Sequence, residues 1–140
     1  NVIETFNITA YYSNSSFTAV IATQNVTSTG GSFTTVALVW NTTGVAKGNH
    51  TITAEATQRP GETDTIDNTL TDGTVLVTTP GDVNGDRRVG MADGGTISDC
   101  WTGPPPGLYP YNPNCDIDGN GQVDMGDIII ACDYFGQHYP

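Results

Sequence analysis

The sequence is poor in basic residues. It has four Lys and Arg against fifteen Asp and Glu, which gives a formal net charge of −11. A protein that binds a nucleic-acid backbone needs clustered Lys and Arg to neutralise the phosphates. We therefore expect no nucleic-acid partner.

Long apolar runs are also lacking. No run approaches the roughly 20 residues that a transmembrane helix needs, and the chain does not start with the basic and apolar regions of a signal peptide. The chain begins at Asn1 rather than Met, which is typical of a processed or excised segment. We expect no membrane span.

The motifs of common enzyme classes are missing as well. The sequence contains no GxSxG, HExxH or glycine-rich phosphate loop, and the two histidines, His50 and His138, belong to no recognised constellation. Paired carboxylates can hydrolyse glycosides, but the best-grouped ones here belong to the acidic repeat described next. We predict a non-catalytic protein.

An acidic twelve-residue segment occurs twice in the second half of the chain. DVNGDRRVGMAD occupies residues 82–93 and DIDGNGQVDMGD residues 116–127, with starts 34 residues apart. Oxygen-bearing residues alternate along both, as in loops that surround Ca²⁺ with six to eight oxygens, although Asp, Asn and Gly also cluster in ordinary solvated turns. We predict two calcium ions. The predicted ligands, counting the carbonyls of Arg88 and Gln122, are Asp82, Asn84, Asp86, Arg88 and Asp93 in loop 1 and Asp116, Asp118, Asn120, Gln122, Asp124 and Asp127 in loop 2.

The two loops differ at position 6, where a calcium loop bends sharply. Gly121 occupies this position in loop 2, whereas Arg87 occupies it in loop 1 and resists a positive φ by about 1 kcal/mol. Loop 1 also has three carboxylates against four in loop 2. We predict that loop 2 binds calcium more tightly.

Both loops, each followed by a short helical pattern, resemble the duplicated segments of dockerins, in particular the dockerin-like modules of archaeal surface proteins. The resemblance covers about residues 81–136 and implies a module that holds two calcium ions and, in cellulosomal relatives, docks onto a cohesin. Those relatives commonly carry hydroxyl residues at loop positions 10 and 11. Here these positions are Met91 and Ala92, then Met125 and Gly126. The departure weakens the cohesin inference and leaves the calcium inference intact.

The first half of the chain is rich in Thr and Val and alternates between apolar and polar residues, which predicts β-strands. Turn signals separate five runs, at residues 6–12, 17–27, 36–40, 52–56 and 75–77. In the third run we expect the indole of Trp40 to point inward. The pattern predicts an antiparallel sandwich.

The segments ETFNITAYY, LVWNTTGVAKGNHTITAEA and PGETDTIDNTLTDGTVLVT are similar to the immunoglobulin-like adhesion-related domains called CARDB, over about residues 4–79. Such a sandwich has about seven strands, so two edge strands are missing here. Two explanations stay open. A strand from another copy completes the sandwich by donor-strand complementation, or the missing strands are encoded upstream.

Five sequons predict N-linked glycans, at Asn7, Asn14, Asn25, Asn41 and Asn49. The three cysteines permit at most one bridge within the chain. If the two loop-helix halves pack antiparallel, Cys100 approaches Cys115, and we favour that pair over three buried thiols. Between these cysteines, a Pro-rich segment presents Tyr109 and Tyr111, either as an adhesive, glycan-facing surface or as cover for a small core.

Together these features predict a mostly β, two-domain extracellular protein: an immunoglobulin-like sandwich lacking edge strands at residues 1–80 and a small helical, dockerin-like domain at residues 81–140. We expect it to be a structural subunit that associates with copies of itself into a surface filament or appendage. The alternative is a binding module that anchors a larger secreted protein to a cohesin-bearing scaffold.

Overall fold

The computed structural model describes residues 3–103, 107 and 110–140. Within them the chain forms strands β1 (Ile3–Ser13), β2 (Thr18–Thr29), β3 (Gly48–Ala56) and β4 (Thr69–Val77), and helices α1 (Met91–Asp99) and α2 (Met125–Asp133). A short 3₁₀ helix, Ile66–Asn68, precedes β4. The chain divides into two compact units, one of Asn1–Val45 with Asn49–Val75 and one of Ala46–Gly48 with Leu76–Pro140.

The four strands form one sheet in the order β2-β1-β3-β4, with β1 antiparallel to both of its neighbours. Threonine and asparagine pairs link β1 to β2 across the exposed face. The hydroxyls of Thr5 and Thr27 are hydrogen-bonded at 2.9 Å, and the side-chain amide of Asn25 donates to Asn7 Oδ1 at 2.9 Å. Such cross-strand pairs stabilise the ladder at positions where no core is available. The predicted first, second, fourth and fifth strands are therefore present.

The predicted third strand is wrong. Residues 33–42 form no strand, yet their side chains alternate as expected, because Val36, Leu38 and Trp40 are half-buried between exposed neighbours. The Trp40 ring packs on Tyr12 and His50, with centroids 4.7 Å and 5.9 Å away. A period of two reports which side chains are buried, and it does not report whether the backbone joins a ladder.

Among the described residues the strands lie in a single sheet rather than in two facing sheets. Ala10 and Val26 are buried in this unit, whereas Ile3, Val20, Phe33 and other large apolar side chains are exposed. The sheet therefore keeps much apolar surface in water.

The second unit packs α1 and α2 around Ile97, Cys100, Cys115, Val123 and Ala131. The helical pattern after loop 2 predicts a helix over residues 128–135. α2 begins three residues before this range and ends two residues before its end. Both helices start inside the last three residues of their loops. In each, an aspartate at N3, Asp93 or Asp127, accepts the backbone amide of the N-cap residue, and in α2 the Asp124 side chain completes a capping box. The helices and the acidic loops are thus continuous structures.

Candidate metal centre

The aspartate at position 1 organises each acidic loop by accepting backbone amides. In loop 1, Asp82 Oδ1 accepts from the amides of Gly85 and Asp86 at 2.9 and 3.1 Å. In loop 2, Asp116 Oδ1 accepts from the Asn120 amide at 3.0 Å. Asp and Asn favour such local bonds, which wrap the backbone around the carboxylate.

The aspartate at position 12 closes each loop from the other end. Asp93 and Asp127 are almost fully buried, with 1% and 0% of their surface exposed. Oδ1 of each accepts from the amides of positions 2 and 3, and Oδ2 accepts from the amide of position 9 at 2.8 Å in both loops. Three amides therefore fix each buried carboxylate, which is also the N3 residue of the helix that follows. In α2 the Asp124 side chain completes a capping box, whereas the α1 N-cap, Gly90, has no side chain to do so.

Each loop gathers three carboxylates into a group that could hold a metal ion. One group is Asp82, Asp86 and Asp93, and the other is Asp116, Asp118 and Asp127; within each, the contributing oxygens all lie within 4.8 Å of one another. The carboxylates repel one another at this separation, so a cation between them would relieve the repulsion. Six of the seven predicted acidic ligands are thus brought together.

Asp124, the seventh, is used differently. Its Oδ1 accepts from the Gly126 amide at 2.7 Å and caps α2, so the carboxylate group of loop 2 does not include it. A ligand at this position commonly acts through a water molecule, which a capping carboxylate permits.

The predicted amide and carbonyl ligands lie along the same turns. Asn84 Oδ1 accepts from the amide of Asp86, and Asn120 Oδ1 accepts from the amide of Gln122, both at 2.8 Å. The Arg88 amide donates to Asp86 Oδ1 at 2.9 Å. These contacts hold positions 3, 5 and 7 on the turns that surround the acidic groups.

The sharp bend at position 6 is present in both loops. Among the described residues Arg87 is the one non-glycine with positive φ, at 74°, and Gly121 at the matching position has φ 88°. The strain predicted for loop 1 therefore falls where the sequence places it.

Position 11 of loop 2 is closely surrounded. A Cβ built on Gly126 would lie 3.1 Å from oxygens of both Asp118 and Asp124. A hydroxyl residue there, as cohesin-binding dockerins commonly carry, would press on two acidic side chains of the loop.

Two tyrosines that the sequence motifs do not include contact the position-1 aspartates. The Tyr139 hydroxyl donates to Asp82 Oδ2 at 2.6 Å, and the Tyr111 hydroxyl donates to Asp116 Oδ2 at 2.8 Å. The Tyr111 bond is the main cause that lowers the pKa of Asp116, and it raises the pKa of Tyr111. Burial first, then the bond to Asp82, raises the pKa of Tyr139. No loop motif signals these contacts, and Tyr109 lies outside the described residues.

The three cysteines are free thiols in the structure, so the predicted Cys100–Cys115 bridge is not formed in it. The two residues are nevertheless neighbours in the core of the second unit. The carbonyl of Thr96 accepts both from the Cys100 amide at 3.2 Å and from the Cys115 thiol at 3.8 Å. Burial, aided by the Cys100 thiol, raises the pKa of Cys115 to about 12.

All five sequon asparagines, Asn7, Asn14, Asn25, Asn41 and Asn49, are exposed. Across the described part of the chain, neither helix has the length and apolar character needed to cross a membrane.

Comparisons of this chain with protein-family models, with curated proteins and with solved structures found no match. The likeness to dockerins and to CARDB domains therefore rests on the residues quoted above.

Proposed function

We propose that the two loops are calcium sites. The observation that carries this proposal is the paired geometry: two segments of equal length each gather three carboxylates whose oxygens lie within 4.8 Å of one another. All the candidate donors are oxygens, which suit a hard cation such as Ca²⁺ better than a softer metal. Ca²⁺ would supply positive charge there, while the chain's amides and carboxylates set the loop geometry.

Calcium titration calorimetry tests this proposal. The intact chain should bind two ions, and Asp82→Ala and Asp116→Ala should each remove one, with the tighter site remaining in Asp82→Ala. Asp72→Ala changes an exposed aspartate of β4 outside the loops and serves as the control. Absence of calcium binding to the intact chain would contradict the proposal.

The proposed role of the whole chain is that of a non-catalytic, extracellular structural subunit, with a CARDB-like domain at residues 1–80 followed by a dockerin-like domain at residues 81–140. Support comes from the single sheet, whose outer strands β2 and β4 each have one described neighbour, and from the exposed apolar residues Ile3, Val20 and Leu70. An added strand would pair the outer strands, and a second layer would cover the apolar surface. In this proposal another copy completes an immunoglobulin-like sandwich, so that subunits form a filament.

Light scattering and negative-stain imaging of the natural secreted material test self-association. Regular filaments in calcium are expected, and their loss on chelation would place the metal at the assembly step. A monomer both in calcium and after chelation would contradict the filament proposal.

A second candidate is a docking module for a cohesin-like receptor. The observation in its favour is the apolar side chains that both helices expose, among them Met91, Met125 and Ile129. Such a module would stay monomeric until the receptor is added. Position 11 of loop 2 makes this candidate weaker, because Gly126 stands where a hydroxyl contact residue is usual, and a side chain there would have to displace the Asp118 or Asp124 carboxylate.

A further inference from the structure

The two tyrosine hydroxyls occupy equivalent positions in the two loops. Tyr139 donates to Oδ2 of Asp82 and Tyr111 donates to Oδ2 of Asp116. In both loops the same oxygen also accepts the backbone amide of position 6, at 3.1 Å in loop 1 and 2.8 Å in loop 2. Each position-1 carboxylate is therefore held on one side by the loop itself and by a phenol from outside it.

The two phenols reach these positions from unrelated parts of the chain. Tyr111 precedes its aspartate by five residues, whereas Tyr139 follows its own by 57. Tyr139 arrives on the last segment of the chain, which pairs with loop 1: the Tyr139 amide donates to the Arg87 carbonyl at 3.2 Å, and the Gly136 amide to the Val89 carbonyl at 2.8 Å. Because the repeat does not include either tyrosine, duplication of the loop alone does not account for the matched contacts.

We propose that Tyr111 and Tyr139 are positioning residues of the two calcium loops, each orienting the position-1 carboxylate through its hydroxyl. The proposal rests on the calcium binding proposed above. Without a bound cation, the position-1 carboxylate would face two others within 4.8 Å, and their repulsion favours turning it away. A hydroxyl that donates to it opposes this rotation and keeps the carboxylate aimed into the group before the ion arrives. Substituting the outer partners of metal ligands commonly weakens metal binding by about tenfold or more.

Single-loop variants of the full chain separate the two tyrosines. In the Asp116→Ala background only loop 1 remains, and Tyr139→Phe should weaken calcium binding by about tenfold while Tyr111→Phe leaves it unchanged. In the Asp82→Ala background only loop 2 remains, so Tyr111→Phe should weaken calcium binding and Tyr139→Phe should leave it unchanged. Phenylalanine keeps the ring and removes only the hydroxyl. Tyr11→Phe, in β1, is the control in both backgrounds.

The outcomes distinguish this inference from the proposal on which it rests. If the unsubstituted chain binds no calcium in the calorimeter, both fail. If the single-loop variants bind calcium and the phenylalanine substitutions change the affinity by less than about twofold, the positioning role is overturned and calcium binding stands. Equal losses in both loops from either substitution would show general loosening and would also overturn it.

A second measurement covers the case in which a single-loop variant does not fold, as judged by circular dichroism. Calcium titration of the chain with both loops intact should then show two binding steps. Tyr139→Phe should weaken one step and Tyr111→Phe the other. Substitutions that weaken the same step, or neither, would overturn the positioning role.

Discussion

At the scale of single residues, the clearest prediction concerns the strained bend of loop 1. Arg87→Gly should tighten calcium binding to loop 1 by about fivefold, because glycine adopts φ 74° without the roughly 1 kcal/mol that a side chain costs there. Calorimetry in the Asp116→Ala background measures the affinity.

Two substitutions separate strain from charge in that experiment. Arg87→Gln removes the positive charge but keeps the strained φ. It should therefore raise the calcium affinity of loop 1 by less than the glycine substitution does. Gly121→Ala, whose Cβ would meet nothing within 4 Å, should lower the calcium affinity of loop 2 by a similar factor. Equal affinities for Arg87→Gln and Arg87→Gly would show that strain is not the cause.

The buried thiol of Cys115 predicts a loss of stability in alkali. Its pKa in the folded chain is about 12, above the ordinary value of 9.0 that we expect on unfolding. Between these values the unfolded chain releases a proton that the folded chain keeps, so the free energy of unfolding falls as pH rises from about 9 to 12. Urea denaturation at several pH values should show this fall and a shallower one for Cys115→Ala; equal slopes would contradict it.

Residue spacing allowed the candidate metal centre to be predicted in part. Alternating oxygens identified the six carboxylates that meet, because a loop around an ion constrains neighbours in sequence. Tyr139 could not be found in this way, since its contact with Asp82 joins residues 57 positions apart. The capping role of Asp124 was open to prediction, because an acidic residue followed three positions later by Asp127 is a capping-box pattern.

At the scale of secondary-structure elements, Gly81 allows α2 to pack closely against the start of loop 1. A Cβ there would lie 2.8 Å from the Ala131 Cα and 3.1 Å from a Val89 methyl, and its φ is 93°. Gly81→Ala should lower the free energy of unfolding of the second unit by about 1 to 3 kcal/mol for the clash, in addition to about 1 kcal/mol for the backbone. Denaturation followed by helix circular dichroism measures the change.

The matched control is Gly119→Ala in loop 2. Its φ is 73° and a Cβ would meet nothing within 4 Å, so only the backbone term remains. Similar losses for Gly81→Ala and Gly119→Ala would show that contact with α2 is unimportant.

Secondary-structure elements were predicted correctly where the local sequence pattern was enough, and wrongly where the result depended on another segment of the chain. Alternation and turn residues located β1, β2, β3 and β4. The same alternation at residues 36–40 gave the right half-buried side chains and the wrong backbone, because ladder pairing depends on a neighbouring strand that the segment itself does not encode. α2 was placed too late because its first turn is built from the loop.

At the scale of the whole molecule, removal of calcium should loosen the second unit and leave the β1–β2 ladder of the first unchanged. The net charge is −11, and two bound calcium ions would bring it to −11 + 4 = −7. The charge that calcium would offset lies in the two carboxylate groups. At a calcium concentration 100 times the dissociation constant, each site adds about 2.7 kcal/mol to the stability of the state that binds it.

Hydrogen exchange with calcium and then with a chelator measures this difference along the chain. Amides that close the loops, such as those of Val83 and Ile117, should lose protection on chelation. Their acceptors, Asp93 and Asp127, would then be repelled by the negative charges of the other carboxylates in the same loop. Amides in the ladder between β1 and β2 should not change, since no predicted ligand lies in either strand. In an Asp82→Ala, Asp116→Ala double variant, neither calcium nor the chelator should change the protection of these amides. Loss of protection in the β1–β2 ladder as well would show that calcium stabilises the chain as a single cooperative unit, and the local role assigned to the two loops would then be wrong.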